Sequence, residues 1–212
     1  MPKKCWCPHG SFGGIWMPDV LIFGEDYAHE VVLRTLIQRL AVDYEVAVGL
    51  QVRSATGGHG RMLRELKAFI AELQRGRTRL PDLFIVARDA NCLGYTARVK
   101  EITAALGGYE GLLVCAVPDP HVERWLLIDS QAFKEVLNHG CDPPDQKCDR
   151  DRYKMLLDAA VRAAGVDPLL GGVEFAEDLI QAMNLGRAER ADKSFGHLLG
   201  DLRSAFQRWA AS

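Results

Sequence analysis

The stretches VLIFGED, from Val20 to Asp26, and DLFIVARDAN, from Asp82 to Asn91, decide the fold of this chain. Each contains an apolar run of four or five residues that leads into turn-forming and acidic residues. Apolar runs of this length predict strands that are buried on both faces, and helical patterns follow both of them. We therefore predict parallel strands of an α/β sheet, in which ligands bind outside the carboxyl ends of the strands.

Two acids, Glu25 and Asp89, come directly after these predicted strands. Because the carboxyl ends of parallel strands meet at one edge of a sheet, we expect both side chains at the same edge. We expect their carboxylates within about 8 Å of each other, a separation that one hydrated Mg²⁺ or Mn²⁺ ion could bridge. For Glu25 the alternative is a helix N-cap, a role better suited to Asp26.

Two further polar residues are candidates for the same edge. Asp89 and Asn91 form an Asp-x-Asn pair, and in an extended segment residues i and i+2 point the same way, so both could bind one cation. The alternative for this pair is an Asx turn. Glu123 lies one turn into a helix that follows the fourth predicted strand, and it is a candidate third acid. Its alternative role is to suit the N-terminal dipole of that helix.

Positive charge is concentrated between Arg53 and Arg79, where seven Lys or Arg residues accompany two acids. This segment contains the turn GGHGR, in which glycines would let main-chain N–H groups approach an anion at the start of a helix. His59, Arg61 and Arg64 are therefore candidate phosphate-binding residues, although the Lys-Ser/Thr of a P-loop is absent. The alternative is a solvated helix face with a charged connector.

Composition excludes some classes of protein. The chain has 212 residues, is 48% hydrophobic and 25% charged, and carries a formal net charge of −2, which argues against a protein that coats nucleic acid through bulk charge. No apolar stretch approaches the length of about 18 residues that a membrane span needs, and the N-terminus lacks a signal-peptide pattern. We therefore expect a cytoplasmic protein that makes no membrane contact.

The six cysteines are irregularly spaced, and in a cytosolic protein we predict that they are free thiols. The alternative is a zinc site, although the spacing matches no standard zinc motif. Its ligands would come from Cys5, Cys7, His9, Cys141 and Cys148.

Strands and helices alternate as β-α-β-α-β-α-β as far as Val117, and only helical patterns follow. This order predicts an α/β fold with a doubly wound, mainly parallel four-stranded sheet and an α-helical C-terminal appendage. We expect an irregular arm over 1–18, an α/β core over 19–118, and a helical flank over 119–212 that packs on the core. The predicted strands are 20–24, 44–52, 83–87 and 112–117, and the predicted helices are 27–41, 62–73, 94–106, 121–137, 150–164, 173–183 and 195–209.

From Val20 to about Phe206 the sequence resembles the Toprim domain of topoisomerases, DnaG-type primases and overcoming-lysogenization-defect nucleases. The match is closer to an uncharacterised Toprim-like branch that is often encoded beside ATPases in bacterial defence islands. The stretches that carry the resemblance are LIFGED, GGHGR, IVARDAN, PHVERWLLID and AEDLIQAMNL.

By this resemblance Glu25 matches the family glutamate, Asp89 matches the first acid of Asp-x-Asp, and Glu123 matches a later glutamate of the branch. Asn91 stands where the family has its second acid, and this departure weakens Mg²⁺ binding. The resemblance implies a Mg²⁺- or Mn²⁺-dependent nuclease that cleaves DNA or RNA as the effector of an ATPase-coupled anti-phage system, with an ATPase partner and a homodimer as further expectations. The alternatives are a catalytically degenerate Toprim-fold subunit that binds an ATPase or nucleic acid, and a small nucleotide-binding or phosphatase enzyme.

Overall fold

The computed structural model describes residues 16–54, 60–149 and 151–211. It contains a four-stranded parallel sheet in the order β2-β1-β3-β4, with helices on both faces, and this doubly wound α/β arrangement confirms the predicted fold class. The helical C-terminal region follows the sheet, as predicted. The strands are β1 (Asp19–Gly24), β2 (Gly49–Ser54), β3 (Leu83–Ala87) and β4 (Leu113–Ala116).

The sheet grows outward from β1 in both directions. Gly24, the last residue of β1, is aligned with Ser54 of β2 on one side and with Ala87 of β3 on the other. The strand order therefore reverses between β1 and β3, and this is the place where an open α/β sheet forms a crevice for a ligand. Glu25 follows β1 and Asp89 lies two residues beyond β3, so both acids belong to this edge.

Alternate residues of β1 enter two different hydrophobic clusters. Val20 and Ile22 pack in the cluster beneath α1 (Tyr27–Asp43), whereas Leu21 and Phe23 pack in the cluster beneath α2 (Arg61–Gln74) and α3 (Tyr95–Leu106). Burial on both faces explains why the strand is a continuous apolar run and not an alternating one.

The helices after the sheet share the cluster beneath α1, to which they contribute Trp125, Phe195 and Leu202 among others. No strand follows β4 in the part of the chain that the structure describes. None of the described helices is long and apolar enough to cross a membrane. The helices of this region are α4 (Val122–Leu126), α5 (Ser130–Leu137), α6 (Arg152–Ala163), α7 (Ala176–Ala182), α8 (Leu185–Ala191) and α9 (Lys193–Ala210).

Several predicted boundaries are wrong. The helix predicted over 121–137 is two helices, because Asp129 accepts hydrogen bonds from the main-chain N–H groups of Gln131 and Ala132 and starts α5. The second strand begins at Gly49 and not at 44, since Tyr44 and Glu45 terminate α1. The short helix α8 was not predicted. Of the N-terminal arm predicted over 1–18, residues 1–15 lie outside the described part of the chain.

The prediction that all cysteines are free thiols is also wrong, because Cys92 and Cys148 form a disulfide. Cys115 and Cys141 are free and buried, and burial raises the pKa of the Cys115 thiol to about 12 and that of Cys141 to about 11. Cys148 is thus committed to Cys92 and not to the alternative zinc site. The other candidates for that site, Cys5, Cys7 and His9, lie outside the described residues.

A buried polar cluster joins α4 to the start of α9. Arg124 forms an ion pair with Asp192, and both side chains are buried. Asp192 also accepts hydrogen bonds from the hydroxyl of Ser194 and from the main-chain N–H of Phe195, so it caps α9. The indole N–H of Trp125 donates to the Ser194 hydroxyl at 3.0 Å. The carboxylate of Asp192 thus holds the last helix against the segment that follows β4.

We predict that Asp192→Ala lowers the free energy of unfolding by about 3 to 5 kcal/mol, because it leaves the Arg124 guanidinium buried without its counter-charge. Asp192→Asn keeps a capping oxygen and should lose less. Urea unfolding followed by circular dichroism measures both. The control is Asp158→Ala, which removes an acid paired with exposed Arg162 and should leave stability nearly unchanged. An equal loss in Asp192→Ala and the control would contradict this account.

Candidate active site

Acidic and histidine side chains from three segments meet at the carboxyl edge of the sheet. Asp26 follows β1 and His29 lies in the first turn of α1, Asp89 follows β3, and His121 lies between β4 and α4. The side chain of Asp89 is the point at which these segments join, because it contacts both histidines.

The Asp89 carboxylate is surrounded by donors. Its Oδ1 accepts a hydrogen bond from the main-chain N–H of Val122 at 3.0 Å and lies 3.2 Å from Nε2 of His29. Its Oδ2 lies 3.0 Å from Nδ1 of His121. Burial opposes the charge, but the two histidines outweigh it and hold the pKa of Asp89 well below its usual range. Asp89 is therefore ionised at neutral pH.

His29 connects two carboxylates. Its side chain is 1% exposed, with Nδ1 2.8 Å from Oδ1 of Asp26 and Nε2 facing Asp89. Burial by itself would lower the pKa of His29, but the charge of Asp89 and the hydrogen bond to Asp26 raise it well above its ordinary value. His29 is thus a buried imidazolium held between the carboxylates of Asp26 and Asp89, which suits it to position Asp89 and not to transfer protons to a substrate.

His121 differs from His29 because only its Nδ1 is used by Asp89, and its side chain is 15% exposed. The hydrogen bond to Asp89 raises its pKa, against the opposing effect of burial. A carboxylate that accepts from Nδ1–H selects one tautomer and orients the ring, which leaves Nε2 to give or take a proton. The pair Asp89–His121 therefore has the geometry of an acid–base catalyst.

Glu123 lies at the same edge, as expected for a third acid. It is 3% exposed in the first turn of α4, with Oε1 3.9 Å from the ammonium of Lys154. Its Oε2 is buried and has no hydrogen-bond partner among the described residues. Burial, together with the charge of Asp89, raises the pKa of Glu123. A buried acid with a raised pKa beside a histidine is a frequent feature of active sites.

Glu25 is largely buried at the end of β1. Its Oε2 lies 3.9 Å from Nε of Arg88, the residue between β3 and Asp89. The structure therefore brings Glu25 and Asp89 to adjacent strand ends, and the expected separation of about 8 Å stays a prediction.

The extended geometry predicted for Asp89 to Asn91 is wrong. Asn91 has a φ of 49° and begins a short 3₁₀ turn, and its amide nitrogen donates to the main-chain oxygen of Asp89 at 3.3 Å. The side chains of these two residues therefore do not project together as in a strand. The contacts are not those of the alternative Asx turn either, because the main-chain N–H of Asn91 donates to the carbonyl oxygen of Pro120 at 3.0 Å.

The contacts of Asp89 and Asn91 show whether the predicted ligands Glu25, Asp89 and Asn91 fit a divalent cation. Both carboxylate oxygens of Asp89 already face histidine nitrogens, and Asn91 is turned toward the main chain. In the described ranges, no group of three or more His, Cys, Asp or Glu residues is arranged to hold a metal ion. As arranged, the three residues do not fit Mg²⁺ or Mn²⁺.

The described candidate phosphate-binding residues, Arg61 and Arg64, lie on α2, which follows β2, the strand beside β1. Arg61 begins α2 and pairs with Glu65 at 2.9 Å, and Arg64 is exposed on the same helix. His59 lies outside the described residues. The guanidinium of Arg53 stacks over the ring of Phe69 at 4.8 Å, so the basic segment has an aromatic neighbour at the end of β2.

Comparisons with protein-family models, with curated proteins and with solved structures found no match. The chemistry of the site must therefore be argued from its residues. Sequence reasoning missed His29 and His121 as site residues. The available signals were the spacing of three between Asp26 and His29, which puts both on one turn, and the position of His121 at the start of the helix that follows the fourth strand.

We predict that His29→Gln destabilises the fold by about 3 kcal/mol at pH 6, because it removes the buried counter-charge of Asp89. The pKa of His29 is raised above 6.5 in the folded state, so its contribution is fully present below that pH. The contribution is lost as the pH rises through the raised value. The difference between the wild type and His29→Gln in urea unfolding should therefore shrink from pH 6 toward pH 10.

The matched control for this series is His139→Gln, which changes an exposed histidine and should show no such trend. A destabilisation by His29→Gln that is constant over this pH range would contradict the assignment of a buried imidazolium.

Proposed function

We propose that this protein hydrolyses phosphodiester bonds in DNA or RNA, as a Toprim-type nuclease, in the crevice between the ends of β1 and β3. The observation that carries the proposal is the Asp89–His121 pair at the switch point of the sheet, with Glu123 beside it and Glu25 at the end of the neighbouring strand β1. Buried acids and an oriented histidine at such a crevice suit water attack on an ester with proton transfer to the leaving group.

The roles of the residues follow from their environments. His121, whose pKa is raised by its hydrogen bond to Asp89, donates a proton from Nε2 to the leaving oxygen as the P–O bond breaks. Glu25 accepts a proton from the attacking water. Asp89 orients His121 and stabilises its protonated form, and Glu123 adds negative charge that favours the same state.

Mg²⁺ or Mn²⁺ is the cofactor that the Toprim resemblance implies. Since Glu25, Asp89 and Asn91 as arranged do not fit such an ion, no step of the proposed reaction is assigned to it. The cleavage assay instead compares Mg²⁺, Mn²⁺ and EDTA. Nucleic acid would approach from the basic segment of α2, whose exposed Arg64 lacks an acidic partner among the described residues.

We predict that His121→Ala lowers the rate of cleavage at least about 100-fold, the usual loss for a general acid. Because His121 acts in its protonated form, activity of the wild type should fall as the pH rises through the raised pKa of this residue. That alkaline decline should be absent from the residual activity of His121→Ala. The assay is cleavage of labelled single- and double-stranded DNA and of tRNA, each with Mg²⁺, with Mn²⁺ and with EDTA.

Three further variants test the other roles. Glu25→Gln and Asp89→Asn should each abolish cleavage, whereas His139→Gln, an exposed histidine outside the site, should retain it. Glu123→Ala should weaken cleavage if the acid acts beside His121. Cleavage that survives the loss of both Glu25 and Asp89 would show that the site is elsewhere on the protein.

The second candidate function is a catalytically degenerate Toprim-fold subunit that binds an ATPase or nucleic acid. It is favoured by one observation, the engagement of both Asp89 oxygens by histidines and the main chain. No cleavage and no metal binding under any of the conditions above would support it. Asn91→Asp restores the acid of the family pattern, and a gain of Mn²⁺ binding in this variant would identify the wild type as the degenerate form.

The biological setting is proposed from the resemblance alone. It comprises a cytoplasmic location, a partner ATPase, a homodimer and a role as effector in anti-phage defence. Cys92 and Cys148 form an exposed disulfide. Disulfides are uncommon in cytosolic proteins, so this bond counts against the cytoplasmic location. Because the resemblance implies a partner ATPase, cleavage should be assayed with and without any ATPase encoded alongside.

We predict that Arg61→Glu combined with Arg64→Glu weakens nucleic-acid binding and flattens its salt dependence, by about one unit of slope for each phosphate that the variant no longer neutralises. The control is Lys134→Glu combined with Arg190→Glu, which changes the net charge equally on exposed residues of α5 and α8. Fluorescence anisotropy of labelled oligonucleotides over a range of salt concentrations measures both. Equal effects of the two double variants would show that the basic side chains of α2 form a solvated face and do not bind nucleic acid.

A further inference from the structure

Two buried arginines lie at the same crevice, and the proposed reaction does not use them. Arg88 follows β3 and Arg98 lies in the first turn of α3, and each residue is 7% exposed. Arginine is almost never buried unless its charge is paired. The partner in this structure is shared, since both guanidinium groups contact the carboxylate of Glu101.

The contact resembles the way two arginines hold an oxyanion. Nη1 of Arg88 donates to one oxygen of Glu101 at 2.9 Å, and Nη1 of Arg98 donates to the other at 2.6 Å. The side chain of Glu101 is 40% exposed, whereas those of both arginines are 8% exposed. The carboxylate can therefore leave for solvent, while the guanidinium groups are held in place by the protein.

The arginine pair is fixed next to the proposed reaction centre. Nε of Arg98 donates to the main-chain oxygen of Asp89 at 3.0 Å, and Nε of Arg88 lies 3.9 Å from the carboxylate of Glu25. An anion held by Arg88 and Arg98 would thus lie beside the residue that orients His121. Donors that are oriented before binding, in a place shielded from water, bind an anion more strongly than exposed ones.

We propose that Arg88 and Arg98 form a binding subsite for a phosphate group, that Glu101 occupies it in the free protein, and that phosphate displaces Glu101. The identification of that phosphate as part of the nucleic-acid substrate rests on the proposed function. Guanidinium groups match the geometry of phosphate oxygens and are its preferred side-chain partners. Glu101 supplies one negative charge to two buried positive charges until phosphate arrives, so it competes with the ligand.

A purely structural ion-pair network is the alternative, and the chain contains a matched example of one. Glu72 is 38% exposed and pairs with Arg75 at 2.7 Å and with Arg77 at 3.5 Å. Its two arginines are 58% and 66% exposed, so they are in contact with solvent, and they follow the C-terminal end of α2, away from the carboxyl edge of the sheet. The two sets differ in the burial of the arginines, which is the property that the proposal depends on.

The experiment compares Glu101→Gln with Glu72→Gln by isothermal titration with inorganic phosphate and with a short single-stranded oligonucleotide. Removal of the competing charge should tighten phosphate binding by Glu101→Gln about tenfold relative to the wild type. Glu72→Gln should bind as the wild type does. The gain should disappear when Arg98→Lys is combined with Glu101→Gln, because lysine cannot reproduce the planar guanidinium contact. Thermal unfolding confirms that each variant is folded.

The outcomes separate this subsite from the nuclease proposal, since phosphate binding is measured without turnover. Tighter binding of both ligands by Glu101→Gln supports a subsite for nucleic-acid phosphate, even in a protein that cleaves nothing. A gain with inorganic phosphate alone supports the subsite but assigns it to a free phosphate group. An unchanged affinity in Glu101→Gln, or an equal gain in Glu72→Gln, overturns the proposal even if the protein is a nuclease.

Discussion

The ionised carboxylate of Asp89 is the constraint on which the site depends. It lies at the end of β3, where burial disfavours its charge, and it must therefore be surrounded by donors. His29 of α1, His121 and the main chain of Val122 supply them, and they come from segments that follow two different strands. The contacts of this one buried carboxylate thus fix the ends of β1, β3 and β4 relative to one another. His121 can be oriented only if these ends are fixed.

The sheet could be predicted from the sequence because its strands are continuous apolar runs, and β3 was predicted at Leu83–Ala87 without error. The position of Glu25 and Asp89 at one edge followed from parallel topology alone. The partners of Asp89 could not be predicted, because a contact such as that with His29 depends on the packing of the long intervening segment. Asn91 was misjudged for a local reason, since its positive φ bends a segment that the Asp-x-Asn pattern suggested was extended.

The turns that carry the site residues are held by main-chain and covalent contacts. The N–H groups of Ala90 and Asn91 donate to the carbonyl oxygens of Pro118 and Pro120, which joins the segment after β3 to the segment after β4. One residue further, Cys92 is bonded to Cys148 in the loop before α6, the helix that places Lys154 near Glu123. Segments that would be mobile as isolated loops are thereby restrained, as a site with oriented groups requires.

Asp89 also divides the crevice into two chemically different sides. Its carboxylate faces the histidines, whereas its main-chain oxygen accepts from Arg98, so a single residue connects the acid–base group to the arginine pair. Hydrolysis of a phosphodiester needs both a cationic place for phosphate oxygens and a proton donor for the leaving oxygen. A phosphate held by Arg88 and Arg98 would replace the negative charge of Glu101 with its own, so the charge of the crevice would stay balanced while His121 remains oriented by Asp89.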